Sequence, residues 1–176
     1  MEFTEKSRVH VGRIIFCEFK AGGGARYDTE DLDGKHYSIA DKAVTYATPA
    51  PSSQSAANKL LMGLSHAQAA SEQELRTELD ISSDLLEMAW EEAIDLDDHT
   101  LTPKSLLQLV HSETVSALQS YQAWRLLRQE TGHVFFRELK QDGRVVAFKA
   151  KARKGVDAAK RAFCDHHDDD ELCFAV

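Results

Sequence analysis

The spacing of apolar positions changes period along this chain. From residue 7 to 48 the apolar residues come in short runs: V-H-V-G-R-I-I-F-C-E-F-K, A-R-Y-D-T-E-D-L, K-H-Y-S-I and K-A-V-T-Y-A-T. β-branched and aromatic residues fill these runs, as a pleated, half-buried surface favours. Gly22-Gly23-Gly24 and Asp33-Gly34 interrupt them as turns. Four or five short strands joined by tight turns predict a small SH3-like β-barrel over residues 1–50. The glycine triplet lacks the Lys-Ser/Thr that follows a phosphate loop, so it predicts a hairpin turn.

A linker, P-A-P-S-S at residues 49–53, precedes a switch to helical spacing. Leu60, Leu61 and Leu64 form the first apolar face. Ser71 with Glu74 fits a capping box, although the alanines of residues 67–70 would equally carry a longer helix through it. Leu75, Leu79, Ile81, Leu85, Leu86, Ala89 and Trp90 continue the pattern, with Ser82 or Ser83 as a cap. Residues 51–99 therefore predict an acidic helical segment, closed by the polar connection D-L-D-D-H.

Residues 100–150 organise the rest. Thr102 before Pro103 marks a helix start, because proline's missing N–H costs nothing at the first helical position. Leu106, Leu107 and Val110 give that helix a short apolar face. Ser112 or Thr114 is expected to start the next helix. Val115, Leu118, Tyr121, Trp124 and Leu126 or Leu127 recur at three- and four-residue spacing. Gly132 is expected to supply a left-handed stop. H-V-F-F-R-E-L and R-V-V-A-F-K-A then flank Lys140-Gln141-Asp142-Gly143, a turn ending in Asp-Gly. Two helices and a hairpin are the plan of a winged helix-turn-helix. A last basic helix over residues 153–164 completes a module of residues 100–164, and residues 165–176 read as an acidic tail that frays. The predicted class is α+β: an N-terminal SH3-like barrel, a helical linker and a winged helix-turn-helix.

Charge changes the picture. The chain of 176 residues has a formal net charge of −8, which argues against generic nucleic-acid binding. Its distribution argues otherwise. Residues 51–100 hold 2 Lys/Arg against 11 Asp/Glu, whereas residues 101–164 hold 12 against 5, a net of +7. A clustered basic patch attracts phosphates even on an acidic protein, because distant charges are screened beyond roughly 8 Å. No apolar run approaches the roughly 18 residues of a membrane span. The start M-E-F-T-E-K shows no secretory pattern, and three widely spaced cysteines form no CxxC pair, so a reducing cytoplasm is expected.

Three stretches carry a family likeness: D-L-D-G-K-H-Y-S-I-A-D-K-A-V-T-Y-A-T-P-A-P, E-L-D-I-S-S-D-L-L-E-M-A-W-E, and the run from Leu101 to Leu139 containing A-W-R-L-L and V-F-F. Over about residues 8–150 the chain resembles the N-terminal, non-catalytic region of RNase II-type (RNB-family) 3'-5' exoribonucleases of the bacterial and chloroplast sort. That family's catalytic domain is several hundred residues long and holds magnesium on spaced aspartates. Nothing in this chain matches it, so no catalytic residue is carried over. The resemblance implies an RNA-binding accessory region with single-stranded RNA as partner and a catalytic RNB domain in cis or in trans. No cofactor is expected; magnesium would enter only with a catalytic domain.

The candidate nucleic-acid-binding residues are Lys104, Arg125, Arg128, Arg137, Lys140, Arg144, Lys149, Lys151, Arg153 and Lys154. Phosphate contacts need several cations along a track. The hairpin is expected to bring Arg137 and Lys140 near Arg144. Alternation sets Lys149 and Lys151 on one face, followed by Arg153 if the strand continues. The plain alternative is a solvated wing, or one paired with the acidic segment. Phe135, Phe136 and Phe148 are candidates for base stacking, with core packing the better expectation and one of the adjacent pair exposed. His166, His167, Asp168, Asp169, Asp170 and Glu171 carry metal-ligand side chains, but a contiguous terminal run does not converge from a fixed scaffold, so no native metal is expected. A protein-interaction module and a DNA-binding winged-helix regulator are the competing functions.

Overall fold

The computed structural model describes residues 1–96, 98–111 and 114–166. The chain divides into two compact units: Met1–Ala70 with Lys140–Val145, and Ser71–Leu139 with Val146–Val176. The division at residue 70 falls inside the acidic helical stretch.

The first unit contains six strands: β1 (Glu2–Glu5), β2 (Arg8–Val11), β3 (Arg13–Phe19), β4 (Ala25–Glu30), β5 (His36–Ala40) and β6 (Val44–Tyr46). They form two antiparallel sheets, β2-β1-β6 and β3-β4-β5. The turns fall where glycine allows a positive φ. Gly23 and Gly24 (φ 84° and 89°) close β3 to β4, with Lys20 N–H bonded to Gly24 O at 3.1 Å, and Gly34 (φ 76°) closes β4 to β5. The glycine triplet is thus the expected hairpin turn. Met1, Phe3, Tyr37, Ile39 and Val44 make the core, with Tyr27 and Ala43 packed on it. Helix α1 (Gln54–Ala69) starts at Ser53, whose hydroxyl accepts from Ala56 N–H, and buries Leu61, Leu64 and Ala67. It stops short of Ser71, so the helix does not run through the capping box.

The second unit holds helices α2 (Glu72–Leu79), α3 (Ser83–Ile94), α4 (Pro103–His111), α5 (Ala117–Leu126), α6 (Glu130–Phe135) and α7 (Arg153–His166). It also holds β7 (Thr100–Leu101) and most of β8 (Phe136–Gln141) and β9 (Arg144–Ala150), a sheet in the order β7-β9-β8 whose turn end, Lys140–Val145, is counted with the first unit. Side-chain caps set the helix starts. Ser71 and Glu74 form the expected box on α2, and Ser82 caps α3. Thr102 Oγ1 accepts from Ser105 N–H at 3.0 Å at the head of α4.

Three expectations are corrected. Helix α5 is capped by Ser116, which forms a capping box with Gln119; Thr114 precedes it, and Ser112 lies outside the described residues. A reciprocal pair satisfies two helix-end donors where a lone hydroxyl satisfies one. Gly132 stops no helix but lies inside α6. A Cβ there would stand 2.4 Å from Leu127 O, so glycine is required by close backbone approach. Residues 133–135 are helical, and the strand begins at Phe136. Phe135 and Phe136 therefore flank a helix-to-strand junction, and both reach the interior at 0 % and 1 % exposure. The Asp-Gly turn is as expected: Asp142 (φ 51°) and Gly143 (φ 80°) are both left-handed. Helix α7 starts where expected but runs on to His166, so Asp165 and His166, expected in the fraying tail, are helical.

Tyr121, Trp124, Leu126, Leu127, Phe135, Phe136 and Phe148 are all buried in the second unit. Each such side chain stabilises the fold by roughly 1.5–3 kcal/mol relative to exposure. Trp90 joins them from α3, its ring tilted on Phe135 at 5.8 Å between centroids.

Candidate nucleic-acid interface

The end of β9 and the start of α7 are held by backbone bonds. Pairing of β7 with β9 sets Thr100 opposite Lys149 and Leu101 opposite Phe148. Ala150 N–H donates to His99 O at 2.8 Å, and Lys151 N–H donates to Phe135 O at 2.9 Å. Trp90 Nε1 donates to Lys151 O at 2.8 Å. Helix α7 then opens with Gly155 and Val156 N–H bonded to Ala152 O.

These bonds frame a groove of about 730 Å³ lined by Ile94, His99, Arg137, Lys149, Ala150, Lys151, Ala152, Arg153 and Gly155. Four of the ten predicted cations meet there: Arg137, Lys149, Lys151 and Arg153. The strand ends at Ala150, so Arg153 reaches the groove from the first turn of α7 rather than by strand alternation. Ala150, Ala152 and Gly155 are the small residues of its lining. Lys151 donates from Nζ to His133 O, and burial pushes its ammonium below the usual lysine value of 10.5. Arg153 lies 5.6 Å from the Trp90 ring and 3.4 Å from Glu91, with both charged partners mostly exposed.

The other predicted residues are elsewhere. Arg144 belongs to the first unit and is bonded to Asp41 (2.6 Å to Oδ1) and to Val44 O at 3.2 Å. The Arg144 hydrogen bond, with a second from the Tyr27 hydroxyl, holds the Asp41 carboxyl below its ordinary value. Arg137 is thus grouped with Lys149 in the groove, not with Arg144. Arg128 pairs with Glu138 at 2.7 Å and covers the Trp124 ring at 4.3 Å. Arg125 is half-buried on α5, while Lys104, Lys140 and Lys154 are exposed.

The acidic helix does pair with basic α7 within the second unit: Glu91 with Arg153, and Glu87 with Lys160 at 2.5 Å. Lys160 is only 9 % exposed, and its partner is structural. Phe135, Phe136 and Phe148 are core, which removes them as stacking surfaces. Sequence reasoning missed His99, at φ 52°, and the small lining residues Ala150, Ala152 and Gly155. Only the β7–β9 register brings His99 there, and no local pattern announces it. Among the described residues no group of His, Cys, Asp and Glu is arranged to hold a metal; residues 167–171 of the terminal His-Asp-Glu run, where no native metal was expected, lie outside them. No helix among the described residues is long and apolar enough to cross a membrane.

Residues 72–155 match the family model described as "Ribonuclease II, winged helix domain". The match takes in α2 through the start of α7, including every residue that lines the groove. It supports the resemblance to an N-terminal, non-catalytic region of an RNase II-type protein. No curated protein and no solved structure matches the chain.

Proposed function

We propose that this chain, whose second unit carries a winged helix domain of the ribonuclease II type, is an accessory region that holds single-stranded RNA by its phosphates. It would guide that strand to a catalytic domain in the same or another chain. The observation that carries this reading is the convergence of Arg137, Lys149, Lys151 and Arg153 on one groove. Cations spaced along a track match the spaced charges of a nucleic-acid backbone. The acidic balance of the whole chain does not oppose this, because screening confines the effect of distant carboxylates. In the same reading the first unit is a small SH3-like barrel. Gly12, between β2 and β3, supports that: a Cβ there would press within 3.1 Å of Glu30 O, as at a tight barrel corner.

Fluorescence anisotropy with a single-stranded RNA of about 20 nucleotides, beside duplex DNA of equal length, tests the proposal. Binding should prefer RNA and weaken with salt at about −0.7 in log–log slope per contacted phosphate. Reversing charge at Arg137 and Lys149 should abolish it. Absence of binding at low salt would sink the proposal.

A second reading is favoured by β3. Ile14, Ile15, Phe16 and Phe19 are 47 %, 52 %, 59 % and 82 % exposed on an edge strand. Such an edge suits a protein partner. Complex formation that survives high salt and fails on Phe16→Ser/Phe19→Ser would support it.

A further inference from the structure

We infer that β3 pairs with the β3 of a second copy of this chain, edge to edge and antiparallel, about a two-fold axis at Phe16. The inference rests on the second reading above, that this edge takes a protein, and it names the protein.

Among the described residues β3 is an outer strand of the sheet β3-β4-β5, paired with β4 along one edge. The opposite outer strand is finished differently. In β5 the large apolar residues Tyr37 and Ile39 are buried, and His36, Ser38 and Ala40 are the exposed ones. The register of β3 against β4 sets Ile14, Cys17 and Phe19 on one face and Arg13, Phe16 and Glu18 on the other. Each face thus carries an exposed phenylalanine. Between Arg13 and Glu18 the strand has neither the charge nor the proline that blunts an open edge.

A two-fold contact must be self-complementary, and this strand is. Its bulge at Ile15 makes Ile14 and Phe16 successive rungs, opposite Thr29 and Asp28. Counted in rungs, an antiparallel copy centred on Phe16 sets Phe16 against Phe16, Ile14 against Cys17, Arg13 against Glu18 and Gly12 against Phe19. Opposite residues then share a face throughout, as cross-strand pairing requires. The charged pair is of opposite sign and occurs twice by symmetry. The Arg13 guanidinium already holds Glu30 and still has donors for Glu18. Shifting the copy by two rungs sets Phe16 against Glu18 or Arg13 and loses the match.

The area also suits a second copy. The exposed parts of Phe16 and Phe19 come to roughly 250–300 Å², at about 200 Å² for a whole side chain. With Ile14, Ile15 and the strand edge, two copies bury on the order of 1,000 Å², the lower end for a specific interface. The dimer is therefore weak, with a Kd on the order of micromolar.

Sedimentation of the full chain from about 1 to 300 µM tests this, the range that brackets such a Kd. A monomer–dimer equilibrium that survives high salt is expected. Phe16→Ser/Phe19→Ser should weaken it about tenfold or more. Glu18→Lys, which sets like charges against Arg13, should weaken it about threefold or more. Thiols read the register. With Cys164 and Cys173 replaced by serine, Ile14→Cys sets a thiol opposite Cys17 of the other copy, and air oxidation should give a covalent dimer. Adding Cys17→Ser should prevent it, because the two introduced thiols lie two rungs apart. A chain that stays monomeric over the whole range overturns the inference and leaves the edge to a different protein. A dimer that Phe16→Ser/Phe19→Ser does not weaken, or that Ile14→Cys does not cross-link, also overturns it, since the copies then meet elsewhere. The docking reading itself falls only if no high-salt complex with any partner depends on Phe16 and Phe19. If circular dichroism shows the double variant misfolded, Glu18→Lys and the thiol pair decide.

Discussion

The indole N–H of Trp90 donates to the main-chain carbonyl of Lys151 at 2.8 Å, across 61 positions of sequence. This bond ties the buried face of α3 to the point where β9 gives way to α7. The two cations that follow the junction, Lys151 and Arg153, are aimed by it. Trp90→Phe keeps most of the ring in the core but leaves that carbonyl without its donor. It should lower stability by about 1–2 kcal/mol, read from the urea midpoint. RNA affinity should fall several-fold as well. Unchanged affinity in the folded variant would show that the junction does not position the groove.

Two carboxylates one turn apart on α3 should behave oppositely. Glu91 sits 3.4 Å from Arg153 with both side chains mostly exposed, so the pair adds at most roughly 0.5 kcal/mol to stability. It does compete with phosphate for Arg153. Glu91→Gln should therefore leave the urea midpoint nearly unchanged and tighten RNA binding about two- to fivefold. Glu87 serves Lys160, which is 9 % exposed. Glu87→Gln should cost roughly 2–3 kcal/mol, because it leaves an enclosed ammonium without that counter-charge. Its effect on RNA affinity in the folded state should be small. Equal effects of the two substitutions on binding would contradict the separate roles.

Gly132 is a packing requirement rather than a turn requirement. Its absent Cβ is what lets the first turn of α6 approach Leu127, whose carbonyl oxygen would stand 2.4 Å from an alanine methyl. That neighbour is backbone and cannot rotate away. Gly132→Ala should destabilise the second unit by about 3 kcal/mol, at the upper end for overpacked sites. Chemical denaturation monitored by tryptophan fluorescence checks this, since Trp90 and Trp124 both lie in that unit.

The Lys151 ammonium loses its proton below pH 10.5 because burial disfavours the charge. Between the folded value and 10.5 the unfolded chain binds more protons, so this group makes stability rise with pH across that window. The groove meanwhile loses one of its four charges. RNA binding should weaken on the alkaline side before ordinary lysines titrate. Lys151→Arg, whose guanidinium stays charged, should move that decline to higher pH. The two titrations run side by side decide the matter. Coincident curves would show that Lys151 does not contact the strand.

Much of the architecture was determined by sequence alone, and where it was not the reason is physical. The helix starts at Ser71 and Thr102 and the turns at Gly22–Gly24, Asp33-Gly34 and Asp142-Gly143 are local matters: a hydroxyl within reach of an N–H, or a residue tolerating positive φ. Such signals act over three or four positions and need no partner from afar. The basic charge of residues 101–164 is likewise a property of the chain itself. Tertiary structure decided the rest. Gly132 reads as a helix stop in isolation, and only the approach of Leu127 shows it to be a contact point. Phe135 and Phe136 should face opposite ways on a strand, but a helix-to-strand junction turns both inward. Ten cations were visible as candidates, yet which four share a groove depended on the β7–β9 register and the Trp90–Lys151 bond. Those are contacts between residues dozens of positions apart, and no periodicity along the chain encodes them.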